Sequence, residues 1–120
     1  MVGIMSIRYI RVSSDREHWL ELESADTFMS RFRGLMGRKF LEENRGLFLA
    51  PCSSIHMCFM RFPIDAVYVD RDFRIMKVTE NLRPWIGVSA CIGAWGVMEL
   101  AAGTAGRLGY EKGMKLYVQR

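Results

Sequence analysis

Residues 64–80, Ile64-Asp-Ala-Val-Tyr-Val-Asp70-Arg-Asp72-Phe-Arg74-Ile-Met-Lys-Val-Thr-Glu80, decide the architecture. Two short runs rich in branched and aromatic side chains, Ile64 to Asp70 and Arg74 to Glu80, read as strands. The Asp70-Arg71-Asp72 triplet between them is short enough to close a hairpin. Apolar residues stand on both sides of Asp65, so the first strand is expected to be buried on both faces.

The same short-segment pattern extends outward to Gly46 to Ala50, Ser54 to Phe59, Gly96 to Ala101 and Met114 to Gln119, the last preceded by the turn Glu111-Lys112-Gly113. Toward the N-terminus, Ile7 to Val12 and Glu17 to Leu22 flank Ser13-Ser14-Asp15 and read as a second hairpin. His18, Leu20 and Leu22 alternate there with Glu17, Glu21 and Glu23, as in a half-buried strand. One stretch changes period: Ala25, Phe28, Met29, Phe32, Leu35 and Met36 recur at helical spacing. They predict an amphipathic helix over about 25–36, with Ser24 as N-cap and an exit at Gly37-Arg38. A single helical turn fits 104–108, closed by Gly109. Short strands joined by turn chemistry favour a mainly β fold, an antiparallel β-sandwich or partly closed barrel, with the helix over an open edge or end. One domain is expected to span 1–120.

Half the residues are apolar and a quarter charged, which excludes a disordered tail. The net charge of +4 is spread along the chain, without aromatic platforms or basic helices, so nucleic acid is not the expected partner. Arg8 and Arg11 interrupt the apolar start and no cleavage site follows, so no export signal is read there. The longest uncharged stretches, Gly46 to Met60 and Pro84 to Met98, fall short of the ~20 residues of a spanning helix. Three cysteines, Cys52, Cys58 and Cys91, suit reduced thiols in a cytoplasm. No cofactor is implied.

Soft ligands cluster in Cys52-Ser-Ser-Ile-His56-Met-Cys58-Phe-Met60. In an extended chain His56, Cys58 and Met60 share a face at steps of ~6.6 Å, so His56 and Cys58 could share a soft metal ion. Cys52 would lie ~13 Å from His56, so a four-ligand zinc site is not encoded locally. Filling core with Cys and Met is the simpler reading, and a catalytic Cys-His pair is disfavoured because i and i+2 side chains on a strand run parallel. Asp65, in apolar surroundings, needs a partner, for which Arg31, Arg38 and Arg61 are candidates; a structural ion pair is preferred over a general base. Glu99 in Val97-Met-Glu-Leu100 poses the same question, and the two carboxylates could share one polar site. The spaced glycines of Gly103-Thr-Ala-Gly-Arg-Leu-Gly109 lack the Lys-Ser/Thr ending of a phosphate loop and read as capping and close packing.

Taken together, Arg31-Phe-Arg-Gly-Leu-Met36, Arg38, Gly46-Leu-Phe48, Ser54-Ile-His-Met57, Met60-Arg-Phe-Pro-Ile-Asp65, Val69-Asp70, Val97-Met-Glu-Leu100, Ala102-Gly103 and Gly113 resemble the signature of domain-of-unknown-function family 192, over about Trp19 to Val118. The resemblance implies a mostly β domain of sandwich or barrel type and supplies no activity. Members commonly follow the histidine with Thr or a hydrophobe and then Met-Arg/Lys, whereas Met57 and Cys58 occupy the middle here. Many relatives resemble exported or anchored proteins, a property not carried over to this chain.

The leading expectation is a non-catalytic binding module for a small anionic ligand. Arg31, Arg38, His56, Met60, Asp65 and Glu99 are its candidate residues. The alternatives are an enzyme using His56 with Asp65 or Glu99, a soft-metal site through His56 and Cys58, and a protein-interaction module. The last would show as an exposed apolar patch near Trp85, Ile86 and Trp95.

Overall fold

A computed structural model describes residues 8–25, 41–57 and 60–120. The helix expected over about 25–36, and with it Arg31 and Arg38, lies outside the described residues apart from Ala25, as do Cys58 and Phe59.

The order along the chain is β1 (Arg8–Ser13), β2 (Leu20–Ala25), β3 (Arg45–Leu49), β4 (Ser54–His56), β5 (Ile64–Val69), β6 (Ile75–Leu82), β7 (Val88–Ala90), β8 (Gly96–Ala101), α1 (Thr104–Arg107) and β9 (Tyr117–Gln119). Seven strands form one sheet in the order β6-β5-β8-β3-β2-β1-β9, while β4 and β7 make a separate two-stranded sheet. The large sheet curls into a half-barrel. Its two edges meet at one end, because the segment leading into β9 pairs with the approach to β6: the Ile75 amide donates to the Met114 carbonyl at 2.8 Å and the Leu116 amide to Phe73 at 2.9 Å.

The mainly β architecture agrees with the sequence reading, with one departure. β2 and β3 run parallel, in register from Glu21 opposite Arg45 to Ala25 opposite Leu49, and the other ladders are antiparallel. A parallel pair needs a crossover of a dozen or more residues, and the span between Ala25 and Arg45 provides that length. Because Ser24 pairs across to both Arg8 and Phe48 inside β2, it is a ladder residue and not a helix N-cap.

Strand parity divides the apolar side chains into two cores. Ile10, Val12, Leu22, Phe48, Val67 and Met98 point into the curl, which Phe73, Ile75 and Leu116 help to fill. Leu47, Leu49, Ala66, Tyr68 and Val97 point to the opposite face and pack beneath the small sheet, against Ile55 and Met57. β5 is thus buried on both faces, as its composition requires.

Gly46 sits where strands β2, β3 and β8 press closest. A Cβ there would stand 2.5 Å from the Glu99 carbonyl and under 3 Å from Leu22 and Leu100. Since one of those contacts is backbone, Gly46→Ala is expected to cost about 2–3 kcal/mol by overpacking, read as a lower urea midpoint at unchanged slope.

Candidate functional site

Asp65 is fully buried inside the curl, at a bulge where β5 slips against β6. Its Oδ1 accepts the Asn81 amide at 2.9 Å, and its Oδ2 accepts the amides of Gly103 and Ala105 at 3.0 Å each. Gly103 opens α1 at φ 94°, a left-handed backbone suited to glycine. Among the described residues the partners of this carboxylate are therefore three backbone N–H groups. Of the expected guanidinium partners Arg31 and Arg38 lie outside the described residues, and the described donors are amides that a turn and a bulge aim at the site. The two amides that a phosphate loop would offer at the start of α1 are the ones Asp65 takes.

Glu99 points the other way. Asp65 faces Leu100 and Glu99 faces Ala66 across the β5–β8 ladder, so adjacent pairs present their side chains to opposite sides of the sheet. The shared polar site expected for the two carboxylates is thereby ruled out by register. Glu99 lies 7% exposed between Leu47 and Ala66 and makes no hydrogen bond or ion pair among the described residues. Desolvation by its apolar neighbours pushes its carboxyl up to about 7.

His56 occupies the exposed face of β4, opposite Val88, while Ile55 and Met57 turn inward toward the large sheet. Met60 is buried in the second core. The common face predicted for His56 and Met60 fails because β4 ends at His56 and the Met60 amide folds back onto the Met57 carbonyl at 3.1 Å. Neither Asp65, inside the curl, nor Glu99, beneath the small sheet, shares a surface with His56. A hollow of about 170 Å³ beside β2 and β3 is lined by Glu21, Glu23 and Glu42, with Arg45 bridged to Glu21 and Glu42. Its charge suits no anion.

Two features escaped the sequence reading. The Glu17-His18-Trp19 stretch is a turn, with Asp15 Oδ1 accepting the amides of Glu17 and His18 at 2.8 Å and Oδ2 meeting His18 Nδ1 at 2.7 Å. The amide of His18 is the main cause that lowers the Asp15 carboxyl, and the Asp15 side chain raises His18 in turn. The second is the extent of the apolar surface on and beside the small sheet. Trp85 is 55% exposed, Ile86 and Val88 73% each, and Ile92 98%. Next to them Met76, Val78 and Ile92 line an open groove of about 660 Å³ bordered by Lys77 and Lys112. An isoleucine inside the turn-like Cys91-Ile92-Gly93 was the available signal. Trp95, expected in the patch, is half-buried with the Arg71 guanidinium 4.1 Å over its ring.

A curled, mostly β sheet with a small companion sheet and no assembled catalytic group among the described residues defines a class of fold, not an activity. The chain belongs to the DUF192 family, "Uncharacterized ACR, COG1430", whose profile matches residues 10–118. It is 37% identical over 70 residues to the UPF0127 protein PH1112 of Pyrococcus horikoshii, covering 54% of this chain and 58% of that protein. With the UPF0127 protein PF1050 of Pyrococcus furiosus it shares 32% identity over 81 residues, 63% of this chain and 67% of the relative. The matches thus span little more than half to two thirds of these relatives. Two crystal structures share the fold. One, a Novosphingobium aromaticivorans protein of unknown function, has TM-score 0.80 at 27% identity, covering 98% of this chain and 91% of the other. The second, from Sinorhizobium meliloti and provisionally described as a transcription regulator, has TM-score 0.83 at 25% identity, covering 97% and 98%. No helix among the described residues is long and apolar enough to cross a membrane.

Proposed function

We propose that the chain is a non-catalytic binding module that docks a protein segment on the small sheet and the groove beside it. The observation that carries this reading is the cluster of large apolar side chains, Trp85, Ile86, Val88 and Ile92, left in water within eight residues of sequence. The described stretches on and around the small sheet, 51–57, 60–64 and 81–98, contain no carboxylate, and their charges are Arg61 and Arg83, with Lys77 and Lys112 at the groove. Such a surface complements a partner strand or loop that sets apolar side chains beside Asp or Glu. A second copy of this basic chain would meet it with the wrong sign.

Selection from a peptide library on the purified protein tests this. Enriched sequences should pair Leu, Ile or Phe with acidic residues, and Ile86→Asp with Ile92→Asp should weaken their binding about tenfold or more, as loss of packed anchors does. Both positions are exposed, so the fold should survive, checked by circular dichroism. Absence of enrichment, binding indifferent to the pair, or association with anionic lipid vesicles in place of peptides would defeat the proposal.

The site for a small anion would need His56, Met60 and Asp65 to converge with Arg31 and Arg38. The described three occupy separate environments, which lends that reading no support; a thermal-shift screen of anionic metabolites is its own test. The Sinorhizobium description concerns that protein, and among the described residues here the helix is the four-residue α1, too short to read a major groove. The odd cysteine count supports a cytoplasmic setting.

A further inference from the structure

The large sheet ends in an edge that the rest of the chain covers only in part. β6 is its outermost strand, paired on one side with β5. On the other side the approach to β9 takes Arg74, bridged to Lys115, and Ile75, whose amide donates to the Met114 carbonyl and whose carbonyl accepts the Gly113 amide, both at 2.8 Å. There the pairing stops. α1 closes in again at Glu80, whose Oε1 would stand 3.1 Å from a Cβ on Gly106. From Met76 to Thr79 the outer edge of β6 has no backbone partner among the described residues. The small sheet does not fill that gap. Thr79 Oγ1 meets Ser89 Oγ at 2.9 Å, and Lys77 Nζ donates to the Ala90 carbonyl at 2.7 Å. Side chains leave a strand roughly perpendicular to its sheet, so these bonds hold β7 against the face of β6 and not along its edge. They also draw aside a lysine of the kind that guards exposed edges. The open groove follows the same stretch, lined by Met76, Lys77 and Val78 of β6 and by Ala90 and Ile92 from β7 and the turn after it; its charged lining is Lys77 and Lys112, with no carboxylate.

Building on the docking function proposed above, we infer that the partner segment adds to the free edge of β6 as an extended strand and continues the seven-stranded sheet. Main-chain bonds to β6 supply contacts that do not depend on the partner's sequence. Its alternate side chains supply the choice: apolar residues suit Ile92 and Met76, and acidic ones suit Lys112. A helix laid in the groove spends its own N–H and C=O groups internally and leaves the edge of β6 unpaired. Pairing of β6 with β6 of a second copy would set Lys77 and Lys112 against their like, so the occupant is a strand of a different, acidic protein.

The tightest binder recovered from the peptide library provides the test. It is resynthesised with one backbone amide N-methylated at a time, and its complex with the whole chain is followed by hydrogen exchange. Along a strand, every second N–H points at the neighbouring strand. The expected scan therefore alternates, methylation weakening binding about tenfold or more at every second position and being tolerated between. Exchange should slow at amides between Met76 and Thr79. A binder whose scan is flat, or one that slows only the amides of β4 and β7, would overturn strand addition and leave docking on the apolar face in place. A library that yields no binder would bring down both together.

Discussion

Asp65→Ala is expected to remove about 3–5 kcal/mol of folding stability, because three backbone N–H groups, two of them on the turn that opens α1, lose their shared acceptor at once. Each buried donor left unsatisfied costs about 1–3 kcal/mol, and relaxation of the turn toward water recovers part of the sum. Against a typical total of about 5–15 kcal/mol, the loss brings the chain close to unfolding. Asp65→Asn keeps one carbonyl oxygen and should fall between the two. Urea unfolding of the three proteins checks the order, and hydrogen exchange should show the Asn81, Gly103 and Ala105 amides losing protection first. Equal stability of the alanine variant would mean that these bonds contribute nothing to the fold.

Glu99 predicts the opposite kind of effect. Burial among apolar neighbours raises its carboxyl from an ordinary 4.5 to about 7, so the folded chain holds a proton that the unfolded chain releases. Below about pH 4.5 both states are protonated and the residue carries no penalty. Between 4.5 and 7 stability declines as pH rises, and above 7 the loss levels off at about 3 kcal/mol, by the usual conversion of ~1.4 kcal/mol per pKa unit. Glu99→Gln should therefore flatten the profile and be the more stable protein at pH 8. His18, raised by Asp15, adds a decline of the same sign at higher pH, but it is exposed and unchanged in the variant, so the difference between the two curves isolates Glu99. Parallel profiles from pH 5 to 8 would refute the assignment.

These two residues also show where sequence reading reached and where it stopped. That each carboxylate needed special treatment was legible, because both sit among apolar neighbours at strand spacing. Their separation onto opposite faces was not, since it depends on the register that sets Asp65 against Leu100. The amides that satisfy Asp65 lie 16, 38 and 40 residues downstream, distances over which one sequence carries no pairing signal. β8 was read with its observed bounds, Gly96–Ala101, because its composition leaves no competing structure. β7 was missed, being three residues long and too short for periodicity to register. The Glu17 to Leu22 alternation was genuine but misplaced: the Asp15 carboxylate captures the amides that would have begun the strand, a local bond outcompeting a ladder.

The pairing of β1 with β9 has a consequence for how the chain is made. Arg11 bonds Gln119 across 108 positions, and Leu116 plugs the same interior that β1 and β2 begin to build. A nascent polypeptide leaving the ribosome can zip its first hairpin early, yet it must wait for Leu116 and β9 to be synthesised before that interior is sealed. Closure is therefore expected to be slow for a domain of this size, and the growing chain is a natural client for chaperones that shield apolar surface until β9 arrives.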